Sequence, residues 1–214
     1  MPATLRLHED VLSNDGEASL PALPRMIFVV HGSVAAGGRT LDAGDTLGGE
    51  GAMTLKAGSG GATVWRWEFS AGGGDAASNV GLFSREKLAV KLETLPHGDL
   101  LLRGDSVAFP PGGCAYLHRH QGPGIRCLIE GGIRIDTRGH SHSYGPGGAW
   151  YETGPDGVFA QAADRPTRFI RVMILPRAYL GRSSVEYLRE EDKTKPKSQS
   201  YKIFVDMPLT ANSG

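Results

Sequence analysis

Short stretches of alternating apolar and polar residues, cut off by glycine, run through this chain and leave little room for helices. Thr63, Trp65, Trp67 and Phe69 fall on one side of an extended segment and Val64, Arg66 and Glu68 on the other, the period of two that a strand requires. Val90 and Leu92 alternate with Lys91 and Glu93, and Ile133 and Ile135 with Arg134 and Asp136. Phe169 to Leu175 is nearly all apolar and reads as a buried strand that Pro176 stops. The 31 glycines and 13 prolines make up about a fifth of the 214 residues, and glycine weakens helix interiors, so they belong to turns. The expectation is an all-β chain built as a sandwich or barrel.

The pattern also repeats, loosely, at a spacing of about a hundred residues. Phe28-Val29-Val30-His31-Gly32 matches Cys127-Leu128-Ile129-Glu130-Gly131, and Gly44-Asp45 follows the first as Gly147-Gly148 follows the second. An apolar strand comes next in both, Thr63-Val64-Trp65-Arg66-Trp67 in one and Phe169-Ile170-Arg171-Val172 in the other. This predicts two barrels in tandem. The first covers residues 1–80, with the join near Gly72-Gly73-Gly74. The second covers 81–178, and a tail covers 179–214. Within the tail, Arg189 to Lys197 reads as a solvated charged loop, and Tyr201 to Asp206 as a last strand that could pair with either barrel.

Charge and cysteine usage narrow the function. Lys plus Arg number 23 and Asp plus Glu 23, and the basic residues are scattered without aromatic interleaving, so nucleic acid is not an expected partner. The longest strictly apolar run, Met26 to Val30, is far too short for a membrane helix, and Met1 to Asp10 has no apolar signal core. Cys114 and Cys127 form no CxxC and read as reduced thiols, as in a cytoplasmic protein. There is no GxSxG elbow, Walker A loop, strand-borne GxGxxG or HExxH.

The informative segment runs from Phe109-Pro110-Pro111-Gly112 through Tyr116-Leu117-His118-Arg119-His120 to Gly131-Gly132. On a strand, His118 and His120 point the same way and could share one divalent metal. Five residues separate Gly112 from His118, and a closing glycine follows at 131 or 132. This resembles the first motif of the cupin superfamily, a glycine, five residues, HxH, a glutamate and a closing glycine. The resemblance implies two cupin-type (double-stranded β-helix, jelly-roll) barrels, with the N-terminal copy degenerate because it carries no HxH.

The departures matter as much. The motif glutamate belongs at position 124 or 125, where Gly124 and Ile125 stand. The second motif's histidine falls at Val158 or Phe159. A third metal ligand must come from elsewhere. Glu152 is the first candidate, on the strand after Gly147-Gly148; a hydrogen-bonded rim carboxylate is its plainer reading. His142, which forms a second HxH with His140, comes next, although an exposed polar edge explains that pair better. Gln161 is third. Cys114 and Tyr116 share the parity of the histidines and could line the same cavity, or simply fill core. Arg126 could reach a substrate carboxylate, or stand outward in solvent. Trp150 and Tyr151 alternate, so one faces the interior. Trp150, Tyr116 and Arg126 are the substrate-binding candidates; His118, His120 and Glu152 are the metal set.

Two functions compete. One, which the cupin resemblance implies, is a metal-dependent dioxygenase or isomerase acting on a small organic molecule through Fe, Mn, Ni or Zn on His118 and His120. The other is a metal-free small-molecule-binding protein in which His118, His120 and Arg126 donate hydrogen bonds. A homo-oligomer, a dimer first of all, would cover the open sheet edges.

Overall fold

The computed structural model describes residues 3–70 and 78–210, and of 78–81 the backbone alone. The glycine cluster at 72–74 lies outside the described residues. The chain divides into two compact units, Met1–Glu93 and Thr94–Gly214. Among the described residues no helix is long and apolar enough to cross a membrane.

The first unit is one antiparallel sheet of β1 (Ala3–Leu20), β2 (Arg25–Ala36), β3 (Arg39–Asp42), β4 (Thr46–Gly49), β5 (Met53–Ser70) and β6 (Ser78–Leu92), in the order β3-β2-β5-β1-β6 with β4 on β2. The register of β1 slips between Leu12 and Glu17 against both neighbours, and such bulges bend strands. Leu12, Ala18 and Leu20, from both sides of the slip, pack with Ile27, Val29, Leu55 and Val64 in one core. Because β6 pairs with β1 along its length, residues 81–92 belong to this unit and not to the second barrel, where the sequence pattern puts them. β5 also departs from simple alternation: every residue from Val64 to Ser70 is buried. Arg66 and Glu68, expected on a polar face, are buried with Asp10 and Arg25 in an ionic network, and Arg66 grips both oxygens of Asp10 at 2.6 and 3.2 Å.

The second unit is a two-sheet sandwich. Its strands are β7 (Leu100–Phe109), β8 (Cys114–His120), β9 (Gly124–Glu130), β10 (Ile133–Thr137), β11 (His140–Tyr144), β12 (Ala149–Glu152), β13 (Val158–Ala162), β14 (Thr167–Pro176), β15 (Val185–Tyr187) and β16 (Ser200–Pro208). One sheet runs β11-β10-β13-β8-β15, the other β12-β9-β14-β7-β16. Side chains of both sheets, among them Phe109, Leu128, Ile133, Ile135, Trp150, Ala160 and Phe169, form the core between them. The tail is part of this unit: β15 pairs with β8 and β16 with β7, and Arg103 holds Asp206 at 2.7 and 3.0 Å. The charged segment expected as a loop contains a short helix, α1 (Glu190–Thr194), whose Asp192 is buried.

The repeat read from the sequence has a structural counterpart. Val29 exchanges hydrogen bonds with Gly44 and Asp45 at 2.8 and 3.0 Å, and Leu128 does so with Gly147 and Gly148 at 2.7 and 2.9 Å. Gly32 and Gly131 both take positive φ, +73° and +84°, where the chain passes too close to a neighbouring strand for any Cβ. Arg66 sits opposite Ile27 as Arg171 sits opposite Arg126.

Candidate functional site

β8 carries the HxH into the second unit. His118 and His120 are buried and face inward, their rings 4.9 Å apart and nearly perpendicular. Parity does not hold along the whole strand. Val158 of β13 pairs with His118, but Ala160 pairs with Ala115, so β8 has one extra residue between the two pairs. That bulge turns Ala115 inward and leaves Cys114 and Tyr116 on the other side. Tyr116 is therefore not a lining residue of the chamber; it lies under the ammonium groups of Lys195 and Lys197, 5.0 and 5.3 Å from its ring centre. Its carbonyl still serves the site by accepting a 2.7 Å hydrogen bond from His118 Nδ1, which leaves Nε2 with the free lone pair.

Glu152 reaches the same place from β12. Trp150 and Glu152 alternate inward on this strand, and Glu152 pairs with Gly124. Thus a carboxylate stands across from the residue where the cupin motif would put one. Trp150 Nε1 donates to Glu152 Oε1 at 2.9 Å, and Glu152 Oε2 lies 3.5 Å from His120 Nε2. Arg126 is not solvated. It is fully buried on β9, with Nη1 donating to the Gly124 carbonyl at 2.6 Å and Nη2 2.7 Å from Glu152 Oε2. The Nη2–Oε2 contact is an ion pair whose angle falls short of a directed hydrogen bond.

Two residues complete the centre that the sequence reading passed over. Arg171 on β14 holds Asp105 of β7 bidentately, at 2.6 and 2.9 Å, and brings Nη1 to 3.4 Å from His120 Nε2. With Nε2 accepting there, His120 Nδ1 carries the proton and has no hydrogen-bond partner. The signal was present: an arginine inside the apolar run Phe169 to Leu175 must find a buried acid, and Asp105 is the one acid of β7. His142 and His140 are exposed on the edge strand β11. Gln161 turns away and ties its amide to the Gly112 carbonyl at 2.9 Å.

Burial sets the protonation states. It pushes His120 well below its usual value, helped by Arg171, His118 and Arg126, and it lowers His118 against the opposing pull of Glu152. Both imidazoles are neutral near pH 7. Burial brings Arg126 down to about 10 despite Glu152. It works on Arg171 in the same sense, but Asp105 outweighs it and the pKa is raised.

His118, His120, Arg126, Glu152 and Arg171, with apolar neighbours and Tyr201, enclose a chamber of about 20 Å³, room for one water-sized species. Above it lies a pocket of about 510 Å³ lined by His140, His142, Tyr144, Trp150, Tyr151 and Glu152 among others. Tyr144 stacks on Trp150 with ring centres 4.8 Å apart. A further hollow of about 370 Å³ touches His120.

The donor types suit a divalent metal, but the arrangement does not fit one. Two guanidiniums and two carboxylates already cancel, so an added dication would leave the chamber with uncompensated charge. Arg126 and Trp150 engage both oxygens of Glu152, and Arg171 engages the lone pair of His120. An ion at the ~2.1 Å of a metal–imidazole bond would lie no more than about 5.5 Å from Arg171 Nη1, a repulsion of about 6 kcal/mol at an effective dielectric of ~20 before Asp105 offsets part of it. The position opposite His118 is Val158. Among the described residues no three side chains of the His, Cys, Asp or Glu types converge as a metal ion requires.

Comparison with solved structures agrees with this architecture. The chain is similar to a deletion variant of oxalate decarboxylase from Bacillus subtilis, with TM-score 0.63 and 14% identity over 89% of this chain and 73% of that one. The fold is that of the cupins. A cupin 2 conserved barrel domain protein from Leptotrichia buccalis matches with TM-score 0.51 and 12% identity over 81% of this chain and 84% of that one. Salicylate 1,2-dioxygenase from Pseudaminobacter salicylatoxidans matches with TM-score 0.54 and 13% identity over 79% and 71%. No protein-family model and no curated protein matches the chain. At these identities the cupin likeness concerns the fold, and function rests on the site itself.

Proposed function

We propose that the second unit is a small-molecule-binding cupin barrel whose ligand occupies the 510 Å³ pocket and is read at its floor by Glu152. The observation that carries this reading is that Glu152, with Ile135 and Val158, lines both the pocket and the inner chamber. A molecule in the pocket therefore meets the paired charges through one carboxylate. The volume lies within the usual range for small-ligand sites, and the walls combine aromatic faces with polar and charged groups, among them Arg138, Asp156 and the two histidines. Tyr144, Trp150 and Tyr151 would give contact area, and His140 and His142 hydrogen bonds at the rim. Trp150 touches the ligand on one side and orients Glu152 on the other, so it is the substrate-binding candidate these contacts favour.

The dioxygenase or isomerase chemistry that the cupin resemblance implies needs Glu152 to leave Arg126 for a metal. The binding reading keeps every contact of the centre in place, and this is why the site favours it. The test is a thermal-shift and fluorescence titration of the full chain against small organic acids, amines and phenols. Saturable quenching that disappears in Trp150→Phe, while Trp65 and Trp67 still fluoresce, is the expected result. No saturable response from any class would overturn the reading.

A further inference from the structure

We infer that Arg126 is the built-in cation of the second barrel, standing in electrostatic place of a divalent metal and keeping the HxH centre metal-free. The inference goes beyond the binding reading and is independent of what the pocket takes. Its basis is the path of one side chain. Arg126 lies between Trp150 on β12 and Arg171 on β14 in register, and is fully buried. Its Nη1 is fixed on the Gly124 carbonyl, which aims Nη2 at Glu152 Oε2. That oxygen is also the one nearest His120, at 3.5 Å. One positive group thus holds the carboxylate beside the histidine, as a shared ion would. His118 is meanwhile fixed through Nδ1 on a backbone carbonyl, so its Nε2 is ready to bind a cation but meets no unpaired charge to help it.

The equivalent position in the first unit is occupied by Ile27, within an apolar core cluster, and that unit has no HxH. The buried arginines of that unit, Arg25 and Arg66, stand at other positions, so the sheet itself does not require a guanidinium at this one.

The experiment compares metal uptake by the intact chain and by variants at Arg126. Protein purified without chelator is dialysed against Mn²⁺ or Zn²⁺, passed through a desalting column and analysed for metal. The unaltered chain is expected to retain none. Arg126→Met removes the cation at similar volume and should retain about one equivalent, because Glu152 Oε2 then loses its competing partner and the chamber gains one net negative charge that offsets the repulsion from Arg171. Arg126→Lys keeps the charge and should retain none, and Arg126→Met combined with Glu152→Gln should lose what Arg126→Met gained. A full equivalent on the unaltered chain, released by His118→Ala, would overturn the inference. So would a folded Arg126→Met that takes up no metal, or an Arg126→Lys that takes up as much as Arg126→Met. Should Arg126→Met fail to fold, the unaltered chain still decides. Mn²⁺ should leave the imidazole proton signals of His118 and His120 unbroadened, and broadening at equimolar Mn²⁺ would refute the assignment. A chain with this metal pattern that binds no organic ligand would sink the binding reading and leave this one standing.

Discussion

Arg126 Nη2 stands 2.7 Å from Glu152 Oε2, and neither side chain is accessible to water beyond a few per cent. Such a pair is held by the difference between its attraction and the cost of drying both ions, so the net stabilisation is small. What the pair does supply is position. Glu152 cannot rotate away without leaving a buried guanidinium unpaired, and Trp150 fixes its other oxygen.

Removing both partners should therefore cost less than the sum of removing each. Glu152→Gln leaves Arg126 unpaired and is expected to destabilise the second unit by roughly 3–5 kcal/mol, and Arg126→Met by a similar amount. The double variant should recover ~1–3 kcal/mol of the summed loss, the coupling of groups in contact. Urea unfolding followed by near-UV circular dichroism of the Trp150 band measures this. Strict additivity would show that the two side chains do not act as a pair.

Acid should weaken the fold in a defined window. The folded pKa of His118 and His120 is below the unfolded 6.5, so the unfolded chain binds more protons as the pH drops. Their contribution is intact above pH 6.5 and is lost as pH falls from there towards the depressed folded values. Each histidine gives a slope of at most about 1.4 kcal/mol per pH unit. His8 in the first unit, lowered mainly by burial, adds in the same sense. Unfolding free energy measured between pH 7.5 and 5 should fall, and His120→Asn should flatten the curve. An unchanged slope in that variant would show that His120 protonates freely in the folded chain.

The sequence carried the fold through its period-two segments and glycine punctuation, and the repeat survived even as fine detail, in the paired turns at Val29 and Leu128. His118 and His120 were legible because their spacing from Gly112 is local. Glu152 was reachable by position along the chain. The bulge in β8 was not, since an inserted residue leaves no mark in an alternating pattern, and it reversed the facing of Tyr116. Arg126 and Arg171 were hard to place for another reason. A buried arginine depends on acids far along the chain, Asp105 and Glu152, whose approach only the folded sheets create.

The oligomer expected from open edges has a specific candidate surface. β6 ends the first unit's sheet, and on it Phe83 is 67% exposed and pairs in register with Val11, itself 41% exposed. A long edge strand with an apolar pair beside it invites pairing with a second copy. We propose a homodimer through this edge. Light scattering should give twice the monomer mass, and Phe83→Lys should return the monomer. A monomer mass for the unaltered chain at micromolar concentration would end this proposal.

Gly124 explains why the motif glutamate is absent from its own strand. A Cβ there would come within 2.5 Å of the Val172 carbonyl oxygen and 2.7 Å of Met173 Cγ. No positive φ is involved, so the restriction is space between β9 and β14 and not backbone strain. Any side chain at 124 would push β14 away, and β14 carries Arg171, which is aligned on Asp105 and His120. The carboxylate is supplied instead from β12, directly across from Gly124. Gly124→Ala is accordingly expected to destabilise the second unit by ~1–3 kcal/mol through overpacking. Gly145→Ala, where a Cβ meets nothing within 4 Å, should change stability by less than about 0.5 kcal/mol. Gly124→Glu should fare worse still, because a second buried carboxylate would have no cation left to pair with. Denaturation midpoints of the three variants decide the matter. A Gly124→Ala variant as stable as Gly145→Ala would mean that β14 has freedom to move, and that Arg171 is held by Asp105 alone.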